Sequence, residues 1–206
     1  MTTLLADPRV AAVPVHDNGE PLVRLDWIAG AAAGAARFVR SGLAERLAVA
    51  QDLLPKGLHV LLSEGYRTEH DQLTIEHAYA ASLRAEYGDL EDDALRRLTS
   101  RYVAPLAVAP HVAGAAVDVT LVDGCGHELW MGTPIDATPE ESDGACFFAA
   151  TNIDGQARRN RTVLAEALLA AGLVNYPTEW WHWSFGDRYW ALVTGTDAAL
   201  YGPVSA

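Results

Sequence analysis

The sequence has only two cysteines, Cys125 and Cys146, among 206 residues. Two cysteines are too few for a disulfide framework or a cysteine-rich zinc module, so we expect two free thiols. Long apolar runs are missing as well. The Ala-rich stretch 28–36 is interrupted by two glycines and is much shorter than the roughly 18 apolar residues that a membrane-spanning helix requires. The sequence therefore predicts no transmembrane segment.

Basic residues are also scarce. Fifteen Lys and Arg stand against 27 Asp and Glu, which gives a net charge of −12. So acidic a surface repels phosphate backbones and anionic lipid headgroups, which makes nucleic acid and membranes poor partners. Residues 1–21 have no basic start, and prolines and acidic residues interrupt their short apolar pieces. They resemble neither a secretory signal nor a transit peptide, so we expect a cytoplasmic protein.

The composition provides enough material for a hydrophobic core. Hydrophobic residues make up 50% of the chain and charged residues 20%, which gives no sign of disorder. A chain of this length suits one domain. We expect a single domain over 1–206, with 1–25 as an N-terminal extension packing on it.

Hydrophobic periodicity predicts helices first, a sheet after them and one late helix, which is typical of an α+β fold. A long segment, 131–155, is rich in Gly, Pro, Asp and Ser and is predicted to be a functional loop. Helices are predicted over 38–54, 71–87, 92–101 and 160–171. Strands are predicted over 58–62 and 117–122, the second forming a hairpin with 127–130, and β-prone segments cover 178–185 and 189–193.

Most of the seven histidines are poor metal ligands. His16 lies in a predicted loop, and His59 lies within an apolar strand, where a hydrogen-bonded structural role is more common. His70 and His77 share one predicted helix. Seven helical residues rise about 10.5 Å, which is too far for two ligands that each lie about 2 Å from one zinc ion. A solvated helix face is the better interpretation of this pair.

His111 and Asp118 form a more informative pair. His111 precedes a run of small residues, and Asp118 lies within the apolar strand that follows. A buried carboxylate is costly unless it is paired, hydrogen-bonded or bound to a metal. The alternative is that Asp118 faces solvent on a one-sided sheet, since it alternates with Val117 and Val119. The spacing alone leaves both interpretations open.

Glu179 and His182 lie three residues apart, among three tryptophans. In a regular strand they would point to opposite faces, so shared chemistry requires a bulge or a strand that begins after Glu179. The alternative is a half-buried strand in which both polar residues are incidental.

One hypothesis unites these residues. Two histidines and one carboxylate (His111, His182, Asp118) give zinc three protein ligands and leave a fourth position open for water. Glu179 is then placed to act as general base, taking a proton from that water and delivering it to a leaving amine. Arg67, directly after the 58–62 strand, is a candidate to stabilise the oxyanion, although most arginines are surface residues.

Four motifs occur along the chain in a characteristic order. They are Gly-Tyr-Arg at 65–67, His-x₆-Asp at 111–118, Met-Gly-Thr-Pro-x-Asp at 131–136 and Glu-Trp-Trp-His at 179–182. Together they resemble the zinc D-alanyl-D-alanine dipeptidases, a branch of the zinc peptidoglycan D,D-peptidases. The likeness runs from the first predicted helix to Val193. It implies a small α+β domain with a central antiparallel sheet flanked by helices.

The resemblance also implies a set of roles. One zinc ion per chain is held by His111, Asp118 and His182, Glu179 is the general base, and Arg67 stabilises the tetrahedral intermediate. Asp136 matches a carboxylate that meets the free ammonium of a dipeptide. Tyr66 and Trp181, within the same motifs, are expected to contact the substrate.

The expected reaction is hydrolysis of D-alanyl-D-alanine or a closely related small dipeptide. Two alternatives remain open at this point. One is a D,D-carboxypeptidase or L,D-peptidase that acts on longer muropeptides. The other is a non-catalytic binding module that zinc merely stabilises.

Overall fold

The computed structural model describes residues 2–204 of the chain. A four-stranded antiparallel sheet runs in the spatial order β3-β4-β6-β5 and comprises β3 (Leu58–Glu64), β4 (Ala116–Asp123), β5 (Val174–Asn175) and β6 (His182–Ser184). A smaller antiparallel pair joins β1 (Leu22–Arg24) to β2 (Phe38–Arg40). Helices accompany both sheets, so the predicted α+β class is confirmed.

Six α-helices surround the sheets within the described range. Several are closed by side-chain caps: Thr68 Oγ1 accepts the Asp71 amide at 3.1 Å, and Asp154 Oδ1 accepts the Ala157 amide at 2.8 Å. None of the helices in residues 2–204 combines the length and the apolar character needed to cross a membrane. The helices are α1 (Pro8–Ala12), α2 (Ser41–Leu53), α3 (Glu69–Tyr87), α4 (Asp92–Thr99), α5 (Gly155–Ala170) and α6 (Arg188–Thr194).

Strand β4 is the centre of the molecule. It lies between β3 and β6, and every residue from Ala116 to Val122 is buried. Val117, Val119 and Leu121 belong to the main hydrophobic core, together with residues of α2 and α5. The alternate residues, including Asp118, are buried as well. The interpretation of β4 as a one-sided strand with a solvent-facing Asp118 is therefore wrong.

Two predicted β segments differ from the structure. The β-prone segment 189–193 lies in helix α6, so that prediction is wrong. Asp187 caps this helix, because its carboxylate accepts the amides of Tyr189 at 2.9 Å and Trp190 at 3.1 Å, and capping outweighs the modest β-propensity of the segment. Residues 127–130 form no regular strand, but they do fold back on β4: Val122 and Glu128 form an antiparallel bridge, the Leu129 amide donates to the Leu121 carbonyl at 2.8 Å and the Asp123 amide donates to the His127 carbonyl at 2.9 Å.

Two predicted helix starts are displaced. Helix α2 begins at Ser41 because residues 38–40 pair with β1 instead. Helix α5 begins at Gly155, earlier than its apolar pattern indicates, because Asp154 provides the cap. Both cases show local hydrogen bonding that hydrophobic periodicity does not report.

The N-terminal segment forms a helix that the sequence pattern did not predict. Helix α1 packs against α6, and its Val10 side chain is fully buried. Arg188 donates a hydrogen bond to the carbonyl of Ala11 at 2.7 Å. The two ends of the chain therefore meet on one side of the domain.

Gly65 marks the end of β3 at a point of close backbone approach. Its amide donates to the Ala36 carbonyl at 2.7 Å. A Cβ atom at this position would lie 2.6 Å from the Phe38 carbonyl oxygen and 2.9 Å from that of Ala36. Both contacts are with backbone atoms, which cannot move aside as a flexible side chain can. The motif glycine is therefore required by packing.

We expect Gly65→Ala to lower the free energy of unfolding by about 1–3 kcal/mol, the usual cost of overpacking. Gly124→Ala is the matched control, since its Cβ would stand 3.6 Å from the nearest atom, the Gly57 carbonyl oxygen. Urea denaturation of both variants measures the difference. Equal stability of the two variants would contradict the packing requirement at Gly65.

Candidate active site

The sheet register brings three of the predicted site residues together. Asp118 of β4 is the direct partner of His182 in β6. His111 enters from a short 3-10 turn, His111–Ala113, that ends at Gly114 in the left-handed conformation with φ 64°. This reversal returns the chain to β4 and places the His111 ring beside Asp118.

Three atoms of these side chains converge on one point. His111 Nε2 lies 3.1 Å from His182 Nδ1 and 3.4 Å from Asp118 Oδ1, and His182 Nδ1 lies 3.1 Å from Asp118 Oδ1. Ligand atoms bound at about 2.0–2.1 Å to a tetrahedral zinc ion stand about 3.3 Å apart. The spacing of the three atoms therefore fits such an ion.

Hydrogen bonding prepares His111 for this role. Its Nδ1 lies 2.6 Å from the Gly65 carbonyl oxygen, an acceptor that requires the proton on Nδ1. The lone pair is then on Nε2, the atom that faces Asp118 and His182. Nε2 of His182 is buried and has no hydrogen-bond partner among the described residues.

The electrostatics of the set favour a bound cation. Burial disfavours an ionised Asp118, but the two histidines outweigh this effect and hold the pKa of Asp118 well below its usual range. Burial lowers the pKa of His182, which favours its neutral imidazole, whereas Asp118 outweighs the effect of burial and raises the pKa of His111. A neutral imidazole and an ionised carboxylate are the forms that bind metals.

Glu179 lies in a turn just before β6. Because it is not part of the strand, the alternation of strand side chains does not force Glu179 and His182 to opposite faces of the sheet. The Glu179 amide donates to the Tyr176 carbonyl at 2.9 Å, and strand β6 begins only at His182. Glu179 Oε2 is thus 3.8 Å from His182 Nδ1. Burial, followed by the negative charge of Asp118, raises the pKa of Glu179 well above its usual value.

Arg67 is held beside these groups by two neighbours that the sequence analysis did not assign. Its Nε donates to Glu64 Oε1 at 2.8 Å and its Nη2 to Glu64 Oε2 at 2.5 Å, while its Nη1 donates to Gln72 Oε1 at 2.9 Å. These bonds engage three of the five N–H groups of the guanidinium. Glu64 lies two residues beyond the predicted strand 58–62, and nothing in the local pattern distinguished it from a surface carboxylate.

Asp136 lies at the edge of the same cavity, in the left-handed conformation with φ 64°. Its backbone carbonyl accepts a hydrogen bond from the Tyr102 hydroxyl at 3.1 Å. Although Asp136 is an exposed residue, desolvation of its carboxylate, together with the charges of Asp118 and Glu64, raises its pKa to about 6. A positively charged group would stabilise the ionised form of a carboxylate that is partly desolvated and lies near other negative charges.

The loop that carries Asp136 is fixed by a buried arginine that the sequence analysis missed. Residues 131–154 contain no helix or strand in the structure, as predicted. Arg161 of α5, only 2% exposed, donates to the carbonyls of Met131, Ala145 and Phe147, each at 2.7 Å. The helical pattern of α5 gave no signal for this inward-pointing cation.

A cavity of about 190 Å³ joins these residues. Trp181 lines it, whereas Tyr66 lies in a neighbouring groove that shares Glu64 and Arg67 with it. A second potential ligand group, Asp123, Cys125 and His127, lies apart from the cavity and is mostly exposed. The cavity is lined by Leu5, Glu64, Arg67, Gln72, Ile75, Tyr102, Val103, Ala104, Pro110, His111, Asp118, Asp136, Tyr176, Glu179, Trp181 and His182.

Solved structures that resemble the fold include two of VanY peptidases. One is VanYB in complex with D-alanine-D-alanine, with a TM-score of 0.49, 17% identity and coverage of 91% of this chain and 90% of that chain. The other is a mutant of the vancomycin resistance D,D-pentapeptidase VanY in complex with Zn(II), with a TM-score of 0.48, 16% identity and coverage of 91% of both chains.

Relatives of known name are also similar in sequence. The D-alanyl-D-alanine dipeptidase of Synechocystis sp. (strain ATCC 27184 / PCC 6803 / Kazusa) is 26% identical over 87% of both chains. That of Escherichia coli (strain K12) is 27% identical over 69% of this chain and 61% of its own length. The peptidase M15 family model, described as D-Ala-D-Ala dipeptidase, matches residues 31–195. The chain therefore belongs to this peptidase family, which confirms the resemblance carried by its motifs.

Proposed function

We propose that this protein is a zinc-dependent dipeptidase that hydrolyses D-alanyl-D-alanine or a closely related small dipeptide. The observation that carries the proposal is the convergence of His111 Nε2, Asp118 Oδ1 and His182 Nδ1 beside Glu179 and Arg67 in one cavity. Zinc bound by these three atoms would supply a Lewis acid that polarises a carbonyl and lowers the pKa of water.

Glu179 is suited to move the proton in this reaction. Its carboxylate lies 3.8 Å from His182 Nδ1 and accepts no hydrogen bond from the described residues, so it is available to a water molecule. Its pKa is raised above the usual value of a glutamate, towards neutral pH. A group whose pKa lies near the pH of the reaction both accepts and releases a proton efficiently. Glu179 would take the proton of the attacking water and pass it to the leaving amine.

Arg67 would stabilise the oxyanion that forms during this attack. Its guanidinium is held rigidly by Glu64 and Gln72, so little reorganisation is needed when negative charge develops. Burial opposes its positive charge, but Glu64 outweighs this effect and raises the pKa of Arg67. The arginine is thus charged throughout the reaction.

The cavity favours a short substrate with a free amine. Its volume of about 190 Å³ lies below the roughly 300–1,000 Å³ of sites for drug-sized ligands. Asp136 offers a carboxylate for a terminal ammonium, and pairing that charge is a physical means of preferring dipeptides over N-blocked or longer peptides. These features support a dipeptidase over a peptidase that acts on longer muropeptides.

A cytoplasmic location stays a prediction. Cys125 and Cys146 are both free thiols, the first exposed and the second buried. Free thiols are the usual state in a reducing compartment, which supports this location.

The metal centre leads to a prediction about zinc content. We expect one zinc per chain, and we expect Asp118→Ala and His182→Ala each to abolish stoichiometric binding. His127→Ala, in the exposed group apart from the cavity, is the control and should leave the stoichiometry at one. Elemental analysis after dialysis measures it. Chelation should also lower the thermal midpoint, because the metal binds only the folded state. Full zinc content in Asp118→Ala would contradict the ligand assignment.

The role of Glu179 is tested by Glu179→Gln, which keeps the size of the side chain but cannot take a proton. We expect kcat for D-alanyl-D-alanine to fall by about 10²–10⁴-fold, the usual contribution of general acid–base catalysis, with zinc content unchanged. Glu86→Gln, on an exposed position of α3, is the control. Near-normal turnover by zinc-loaded Glu179→Gln would rule out this residue as the base.

The role of Asp136 is tested by Asp136→Asn. We expect kcat/KM for D-alanyl-D-alanine to fall by about 10–100-fold, since a hydrogen bond to a charged group contributes about 1.5–3 kcal/mol. An N-acetylated dipeptide, which has no ammonium, should be a poor substrate for both proteins. Steady-state kinetics on the two substrates provide the comparison. If Asp136→Asn kept the wild-type ratio of kcat/KM between the free and the N-acetylated dipeptide, the ammonium would be bound by another group.

A further inference from the structure

Among the residues that the structure describes, Leu5 is the single one in the cavity wall that comes from the start of the chain. Every other lining residue lies between positions 64 and 182. Leu5 also lies outside residues 31–195, the part of the chain that matches the family model. The wall that it forms therefore lies outside the part of the chain that carries the motifs.

The segment around Leu5 is anchored on both sides. The Leu5 amide donates to the Tyr176 hydroxyl at 3.1 Å, and Tyr176, which also lines the cavity, donates in turn to the Ser100 carbonyl. Helix α1 follows at once and is held against α6, with Val10 fully buried. This anchoring makes Leu5 a fixed part of the wall.

The Leu5 side chain belongs to an apolar cluster that borders the cavity. It is 3% exposed and packs in one cluster with Ala104 and Tyr176, which line the cavity too. Val103 and Pro110 also line the cavity, and both are buried. The polar groups proposed for catalysis all come from other positions, so the Leu5 side chain can be altered without removing any of them.

We propose that Leu5 limits the size of the substrate side chains, so that the enzyme accepts dipeptides with methyl-sized side chains and rejects larger ones. The inference rests on the proposed dipeptidase function. An added methylene in an apolar pocket changes specificity by about 10–200-fold, and the Leu5 side chain occupies the space of several such groups. Removal of this side chain should therefore admit bulkier dipeptides.

The test uses the zinc-loaded full chain with D-Ala-D-Ala, D-Ala-D-Leu and D-Leu-D-Ala as substrates. Leu5→Ala should raise kcat/KM for at least one leucine-containing dipeptide, relative to D-Ala-D-Ala, by about 10-fold or more. Leu5→Phe should shift the preference the other way and raise KM for D-Ala-D-Ala. Leu4→Ala is the matched control, because Leu4 packs against the same cluster but does not line the cavity.

Zinc content and thermal unfolding establish that each variant is folded. Calorimetric binding of the same dipeptides to forms that also carry Glu179→Gln, in which turnover is suppressed, gives a separate readout of binding. One outcome is that wild-type protein hydrolyses D-Ala-D-Ala while folded Leu5→Ala and Leu5→Phe keep the wild-type ratio of kcat/KM for the leucine-containing dipeptides to kcat/KM for D-Ala-D-Ala. That result would overturn the inference about Leu5 and leave the proposed function standing. An equal shift in Leu4→Ala would also overturn it. If zinc-loaded wild type neither binds nor hydrolyses any of the dipeptides, the proposed function and the inference both fail.

Discussion

The site depends on the register between three strands. Glu64 of β3 is aligned with Asp118 of β4, and Asp118 is aligned with His182 of β6. Like charges opposite each other destabilise a sheet, so the alignment of Glu64 with Asp118 requires cations on both sides. Arg67 provides one for Glu64. A metal ion at the Asp118 side would provide the other, which links folding to metal binding.

Without a bound metal, the buried carboxylates of the site lower the stability of the fold. Asp118 and Glu179 are only 3% and 6% exposed, and the negative charge of Asp118 raises the pKa of Glu179. Burial of unpaired charge is strongly unfavourable. The hydrophobic packing of β4 with α2 and α5 must offset this cost, so the central strand contributes both to the core and, through Asp118, to the site.

Much of this arrangement was predictable from the sequence, for identifiable reasons. His111, Asp118 and His182 were singled out as a candidate set of two histidines and one carboxylate, and the resemblance of their motifs assigned them to zinc; the structure brings them together. Arg161 was missed because the carbonyls that it binds lie in a loop distant along the chain. Glu64 binds Arg67 only three residues away, but its alignment with Asp118 depends on a strand register that the local pattern does not reveal. The 189–193 segment was misassigned because the cap at Asp187 decides its structure, whereas periodicity and propensity describe only the residues inside an element.

The most direct measurement is the release of free D-alanine from D-alanyl-D-alanine by the zinc-loaded protein, with L-alanyl-L-alanine as the stereochemical control and chelated protein as the metal control. Membership of the D-Ala-D-Ala dipeptidase family predicts turnover of the D,D-dipeptide alone, and the arrangement of His111, Asp118 and His182 beside Glu179 predicts that this turnover is lost on chelation and restored by zinc. No release of D-alanine with zinc bound at full stoichiometry would contradict the account, and would favour a binding module that retains the metal but lacks the reaction.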